Sequence, residues 1–129
     1  MPVYKTKVFA RFARKAGIRD RELRNAAAEV ARGNYDADLG GGVYKQRIAR
    51  PGAGKSGGFR TILCFREGSH TFFVYGFTKS VKANITADEL KTTRKLAAQM
   101  LAYGAKEIGD AMHIGELIEV MSDEDDPKA

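Results

Sequence analysis

A lysine and an arginine two positions apart on an extended segment project from one face, and a phosphate is the group such a pair holds best. The run Val43-Tyr44-Lys45-Gln46-Arg47-Ile48-Ala49 offers this arrangement. It places Lys45 and Arg47 on one side, with Tyr44, Gln46 and Ile48 on the other. Arg60 opens the next apolar run and Arg66 closes it, while Tyr75 and Phe77 share a face of a third, followed by Lys79 and Lys82. Cations for phosphates beside a ring for stacking a base suit single-stranded RNA better than a DNA groove.

Such a face permits chemistry without a metal. RNA carries its own nucleophile, the 2′-hydroxyl, so a protein need only align the nucleotide, accept one proton and stabilise the developing charge. Clustered cations lower one another's pKa, which lets a lysine among arginines act as general base. Lys45 and Lys79 both fit that role, and spacing does not choose between them. The two histidines, His70 and His113, have no partner at metal-ligand spacing and read as structural or exposed. The single cysteine, Cys64, lies between Leu63 and Phe65 and reads as a small buried hydrophobe. Neither a metal nor a cofactor is expected. Gly52-Ala53-Gly54-Lys55-Ser56 echoes the end of a nucleotide-binding loop, but it lacks the earlier glycine and leads into a strand instead of a helix. It reads as a loop over residues 52–58 that brings Lys55 to a phosphate backbone.

The elements that must position these residues follow from periodicity. Val8, Phe9, Phe12 and Ala16 recur at helical spacing over residues 5–16, and Gly17 stops that helix. Asp20 reads as the N-cap of a second helix with Leu23, Ala26, Ala27 and Val30 on its apolar face. Strands are expected over 43–49, 59–66 and 70–77, paired as an antiparallel meander. Thr86 with Glu89 three positions on marks a capping box before a helix whose stripe is Leu90, Thr93, Leu96, Ala97, Met100 and Leu101. The expected fold is a small α+β domain with two N-terminal helices packed on an antiparallel sheet, followed by a C-terminal helix.

The chain has 129 residues, of which 43% are hydrophobic and 29% charged, enough for one core. No apolar run approaches the eighteen or so residues of a membrane span, and Met1-Pro2-Val3-Tyr4-Lys5 has no signal-peptide character. A cytoplasmic address without membrane contact is therefore expected. The net charge of +6 conceals two opposed parts: residues 1–106 hold 21 bases against 8 acids, a net of +13, and residues 107–129 hold the other eight acids. A surplus of that size favours a polyanionic partner, nucleic acid first. Residues 1–106 read as the functional domain and 107–129 as an acidic C-terminal extension whose last residues are disordered.

The stretch Tyr44-Lys45-Gln46-Arg47-Ile48-Ala49, the Gly-Lys loop into Gly57-Gly58-Phe59-Arg60, and Phe73-Val74-Tyr75-Gly76-Phe77-Thr78-Lys79, with Asn84-Ile85 and Glu89-Leu90 beyond, resembles the RelE/ParE superfamily of type II toxin–antitoxin systems. Within it the chain is most similar to the HigB-like and RelE-like toxins. The resemblance implies an mRNA interferase, an endoribonuclease that cuts translated mRNA in the ribosomal A site and is held inactive by a cognate antitoxin. It implies that Lys45, Arg47, Lys55, Arg60 and Lys79 form the basic active face and that Tyr75 stacks or orients a base; Lys45, Arg47, Arg60 and Lys79 are the catalytic candidates, and Lys55, Tyr75, Arg66 and Lys82 the candidate RNA contacts. The ParE branch implies inhibition of DNA gyrase instead, and a non-catalytic RNA- or ribosome-binding module is the third alternative.

Overall fold

Val3 and Tyr4 are both buried, on opposite sides of a short first strand, β1 (Val3–Thr6). In the computed structural model, which describes residues 1–50, 54–78 and 84–122 (backbone alone for residue 50 and residues 54–57), this strand lies inside the sheet. Helices α1 (Lys7–Ala16) and α2 (Asp20–Ala31) follow, then strands β2 (Ala37–Gly40), β3 (Val43–Arg50), β4 (Gly54–Cys64) and β5 (Thr71–Thr78). Helices α3 (Ala87–Met100) and α4 (Ala105–His113) and strand β6 (Leu117–Glu119) complete the described chain. The sheet order is β2-β3-β4-β5-β1-β6, with β1 parallel to β5 and the other pairings antiparallel.

This architecture corrects the expected one. Among the described residues the sheet has six strands and is mixed, and four helices divide between its two faces, in place of two N-terminal helices on an antiparallel sheet with one C-terminal helix. The helix expected from residue 5 begins at Lys7, because Val3–Thr6 pairs with β5 and β6. The Thr6 side chain then caps α1, accepting from the Phe9 N–H at 3.1 Å. Arg19, not Asp20, is the N-cap of α2; the Asp20 carboxylate instead accepts from Lys5 Nζ at 2.8 Å and from the Met121 N–H at 2.9 Å. The capping box of Thr86 and Glu89 is present at the start of α3.

Two cores result. Phe9, Ala13, Leu23, Ala27 and Val30 of α1 and α2 pack on Ile48, Phe59, Leu63 and Phe73. Ala97, Met100 and Leu101 of the α3 segment and Ile108 of α4 pack on Val43, Ile62, Cys64, Phe72 and Val74. Each fully buried Leu, Ile or Phe among them contributes about 1.5–3 kcal/mol. Ile108, Leu117 and Val120, from the acidic stretch after residue 106, are part of these cores. Of residues 122–129, where disorder is expected, all but Ser122 lie outside the described residues. Among the described residues no helix is long and apolar enough to cross a membrane.

Burial raises the Cys64 thiol pKa from 9.0 to about 12. The folded chain thus keeps a proton that the unfolded chain releases, so stability should fall as pH climbs from about 9 toward 12. In thiol labelling at pH 8, native Cys64 should react at least about tenfold more slowly than in denaturant. Equal rates would show that the residue is open to solvent.

Candidate functional site

The strand meander brings the cations together by register. Arg47 of β3 stands opposite Arg60 of β4, and Arg60 opposite Phe77 of β5; one row along, Lys45 stands opposite Ile62, and Ile62 opposite Tyr75. Opposed Cα atoms in such a ladder are about 5 Å apart. Lys45, Arg47, Arg60 and Tyr75 therefore share the sheet face turned away from α1 and α2, since Tyr44, Ile48, Phe59 and Leu63 alternate onto the other.

Tyr75 reaches this face only through a bulge. The register shifts between Ile62 and Leu63, which pair with Tyr75 and Phe73, so Val74 is an extra residue. Phe73 points to α1, packing on Phe9 with ring centroids 5.1 Å apart. Unbroken alternation would have sent Tyr75 and Phe77 the same way. With the bulge, Val74, Tyr75 and Phe77 all face the α3 side. The Thr6 hydroxyl donates to the Val74 carbonyl at 3.1 Å, which secures the bulge from β1. Gly76 then faces α1, where a Cβ would lie 2.2 Å from the Phe12 ring.

Arg60 is only 7% exposed, and its Nη1 donates to the Gly58 carbonyl at 3.2 Å. Lys45 and Arg47 are half-buried. Asp36 turns Arg47: its Oδ2 accepts from the Arg47 backbone N–H at 2.7 Å and lies 3.8 Å from Arg47 Nε. Buried Gln46 holds the segment that carries Asp36, donating to the Asn34 carbonyl at 3.0 Å and accepting from the Asp36 N–H at 3.1 Å. Sequence reading missed Asp36 and Gln46 as positioning residues. The one available signal was a polar residue, Gln46, between Tyr44 and Ile48 on the core-facing side of a strand.

The remaining candidates are placed differently. Arg66 follows β4, roughly 20 Å along the strand direction from Arg60 at about 3.3 Å per residue. Its Nη2 donates to the Leu101 carbonyl at 2.7 Å, closing the end of α3. Lys79 and Lys82 lie outside the described residues. Lys55 belongs to β4 by its backbone: Gly54 pairs with Arg50, so the loop expected over 52–58 is largely strand, with 51–53 outside the described residues. His70 packs on the Tyr4 and Phe72 rings, at centroid distances of 5.7 and 6.3 Å, and His113 is exposed at the end of α4. Among the described residues no three His, Cys, Asp or Glu side chains are grouped as metal ligands.

A cavity of about 360 Å³ adjoins the face at Tyr75, and Lys7, Leu96, Met100 and Tyr103 also line it. Cations in register, an aromatic ring beside them and an adjoining cleft suit a phosphodiester with an unstacked base. The model of the RelE family, described as the RelE toxin of the RelE/RelB toxin–antitoxin system, matches residues 1–120. No curated relative matches the chain. The matched span takes in all ten elements, from β1 to β6, and with them the register that gathers Lys45, Arg47 and Arg60; the chain belongs to the RelE toxin family, toxins whose partner is a cognate antitoxin.

Proposed function

We propose that this toxin is an mRNA interferase, a ribosome-dependent endoribonuclease acting by transesterification on translated mRNA. The observation that carries this reading is the shared face of Lys45, Arg47, Arg60 and Tyr75, set by the β3–β4–β5 register. Arg47 and Arg60 hold the scissile phosphate, and their guanidinium groups neutralise the charge that builds on its non-bridging oxygens. Tyr75 stacks on an adjacent base, which fixes the sugar for in-line attack. The 2′-oxygen bonds to phosphorus as its proton passes to a basic group, and the bond to the 5′-oxygen breaks as that oxygen takes a proton. Lys45 serves this proton transfer from the described part of the site, and Lys79 is the second amine proposed for it. The products are a 2′,3′-cyclic phosphate and a 5′-hydroxyl end.

Expression without an antitoxin should arrest bacterial growth and produce new 5′-hydroxyl ends within translated mRNAs. Co-expression with the antitoxin should reverse both effects. Arrest with intact messages and inhibited gyrase would replace this reading with the gyrase-directed one. Normal growth with intact messages would dismiss both.

A further inference from the structure

Of Lys45, Arg47 and Arg60, only Arg47 has a carboxylate partner among the described residues, and that partner is Asp36. Lys45 forms no ion pair there, and the Arg60 guanidinium donates to the Gly58 carbonyl. An acid is an unfavourable neighbour for a group that must hold a phosphate, because its charge cancels part of the cation's attraction. Affinity for RNA is thus not what Asp36 serves.

Local structure accounts for the Asp36 oxygen but not for its charge. The β2–β3 ladder ends with Ala37 opposite Lys45. One residue earlier, the Asp36 N–H still donates to the Lys45 carbonyl at 3.1 Å. Beyond it the side chain replaces the missing backbone, with Oδ2 accepting from the Arg47 N–H at 2.7 Å. An asparagine oxygen would extend the ladder equally well. What asparagine lacks is a negative charge beside the Arg47 side chain, where Oδ2 lies 3.8 Å from Nε. With the two side chains 39% and 25% exposed, this pair adds little to stability. It does set direction. A carboxylate on the Nε side leaves the edge formed by Nη1 and Nη2 for a bidentate contact with phosphate.

The carboxylate is itself braced from the core. Buried Gln46 accepts from the Asp36 N–H and donates to the Asn34 carbonyl, and its own carbonyl accepts from the buried Thr61 hydroxyl at 2.7 Å. Residues 34–36 are thereby tied to β3 and β4, the strands that carry Lys45, Arg47 and Arg60.

We propose that Asp36 is a positioning residue for cleavage that acts through Arg47: its carboxylate aims the guanidinium at the scissile phosphate and, by the same charge, weakens the hold on RNA as a whole. This role rests on the ribonuclease reading above. Orientation and attraction oppose one another at this side chain. An aimed guanidinium favours the transition state, whose rate is sensitive to small misplacements. One more net positive charge would strengthen binding of any strand, reactive or not.

Asp36→Asn separates the two effects, since it keeps an oxygen for the Arg47 N–H and loses the charge. Asp38→Asn is the control; Asp38 is an exposed acid of β2 that pairs with no cation among the described residues. Binding is measured with a short single-stranded DNA oligonucleotide, which offers phosphates and bases but no 2′-hydroxyl, across a salt series. Cleavage is measured as the single-turnover rate on mRNA-programmed ribosomes at saturating toxin. Asp36→Asn should bind the oligonucleotide about two- to fivefold more tightly at low salt, with a salt slope steeper by up to about 0.7. It should nevertheless cut at least about tenfold more slowly. Its melting temperature should stay within about 4 °C of wild type. Asp38→Asn should cut at the wild-type rate, and in an Arg47→Gln background Asp36→Asn should lower cleavage no further.

Slower cleavage together with weaker binding or a much lower melting temperature would mean that Asp36 only supports the fold, and would overturn the proposal. Faster cleavage with tighter binding would overturn it as well. An active wild type matched in rate by Asp36→Asn would remove this role alone. A wild type that binds the oligonucleotide but cuts no message would overturn the proposed function and this role together.

Discussion

Arg60→Ala should lower mRNA cleavage by about 10²- to 10³-fold, the usual cost of removing a group that stabilises developing charge in a water-poor site. It should also abolish growth arrest. Arg60 combines a guanidinium fork with near-complete burial, next to Arg47 across the ladder. That placement is poor for stability, since like charges directly opposite one another repel. Removing it should therefore cost the fold no more than about 1 kcal/mol, within the range of ordinary substitutions. Arg60→Lys separates charge from geometry: it keeps the cation but loses the fork, so ribosome binding should be retained while most cleavage is lost. Cleavage measured on translated messages, with thermal melting of each variant, decides the matter. Wild-type cleavage by a folded Arg60→Ala protein would remove Arg60 from the site.

Gly58→Ala should destabilise the protein by about 2–3 kcal/mol, a large overpacking effect for one methyl group. The Cβ of residue 58 would lie 2.2 Å from the Ile48 carbonyl oxygen and 3.0 Å from the Ala49 Cα. Both are backbone atoms of β3, so no rotamer change relieves the clash. The strands must part where Ile48 pairs with Phe59 and Arg47 with Arg60. Cleavage should consequently fall at temperatures where the variant is still folded, because the spacing of the two arginines changes. Gly109→Ala is the matched control. It lies within α4 with nothing within 4 Å of an added Cβ, and should be neutral or stabilising by about 0.5–1 kcal/mol. Equal melting temperatures for wild type and Gly58→Ala would show that β3 and β4 are not so closely apposed.

Much of the candidate site was legible in local pattern. A period of two along residues 43–49 separates Lys45 and Arg47 from Tyr44, Gln46 and Ile48, and the packing of Tyr44 and Ile48 agrees with that division. The consecutive pairing of β3, β4 and β5 followed from strand lengths and turn residues. The partners that orient the site were not legible. Asp36 reaches Arg47 across eleven positions, from a segment with no helical or strand periodicity of its own. Nor was the tie from Arg66 to the Leu101 carbonyl legible, since it joins β4 to the end of α3 across 35 positions.

The sheet was misjudged for a related reason. Strand β1 has four residues, too few for alternation to outweigh the helical spacing that starts within it. It is a strand because β5 lies alongside it, with Lys5 opposite Phe73, 68 positions later. Strand β6 has three residues and depends on β1 in turn.

The sequence by itself determined which chemistry is available: a +13 surplus over residues 1–106, two cations on one strand face, a third opening the next strand, and an aromatic strand beside them. These are properties of residue type and short-range period. Tertiary structure decided which of these groups meet. The parallel β1–β5 pairing and the Val74 bulge turn Tyr75 to the sheet face that carries Arg60, and burial among three strands holds Arg60 opposite Arg47. The physical reason is that strand pairing is set by contacts across the sheet, between residues far apart in the chain, and leaves no local periodic mark.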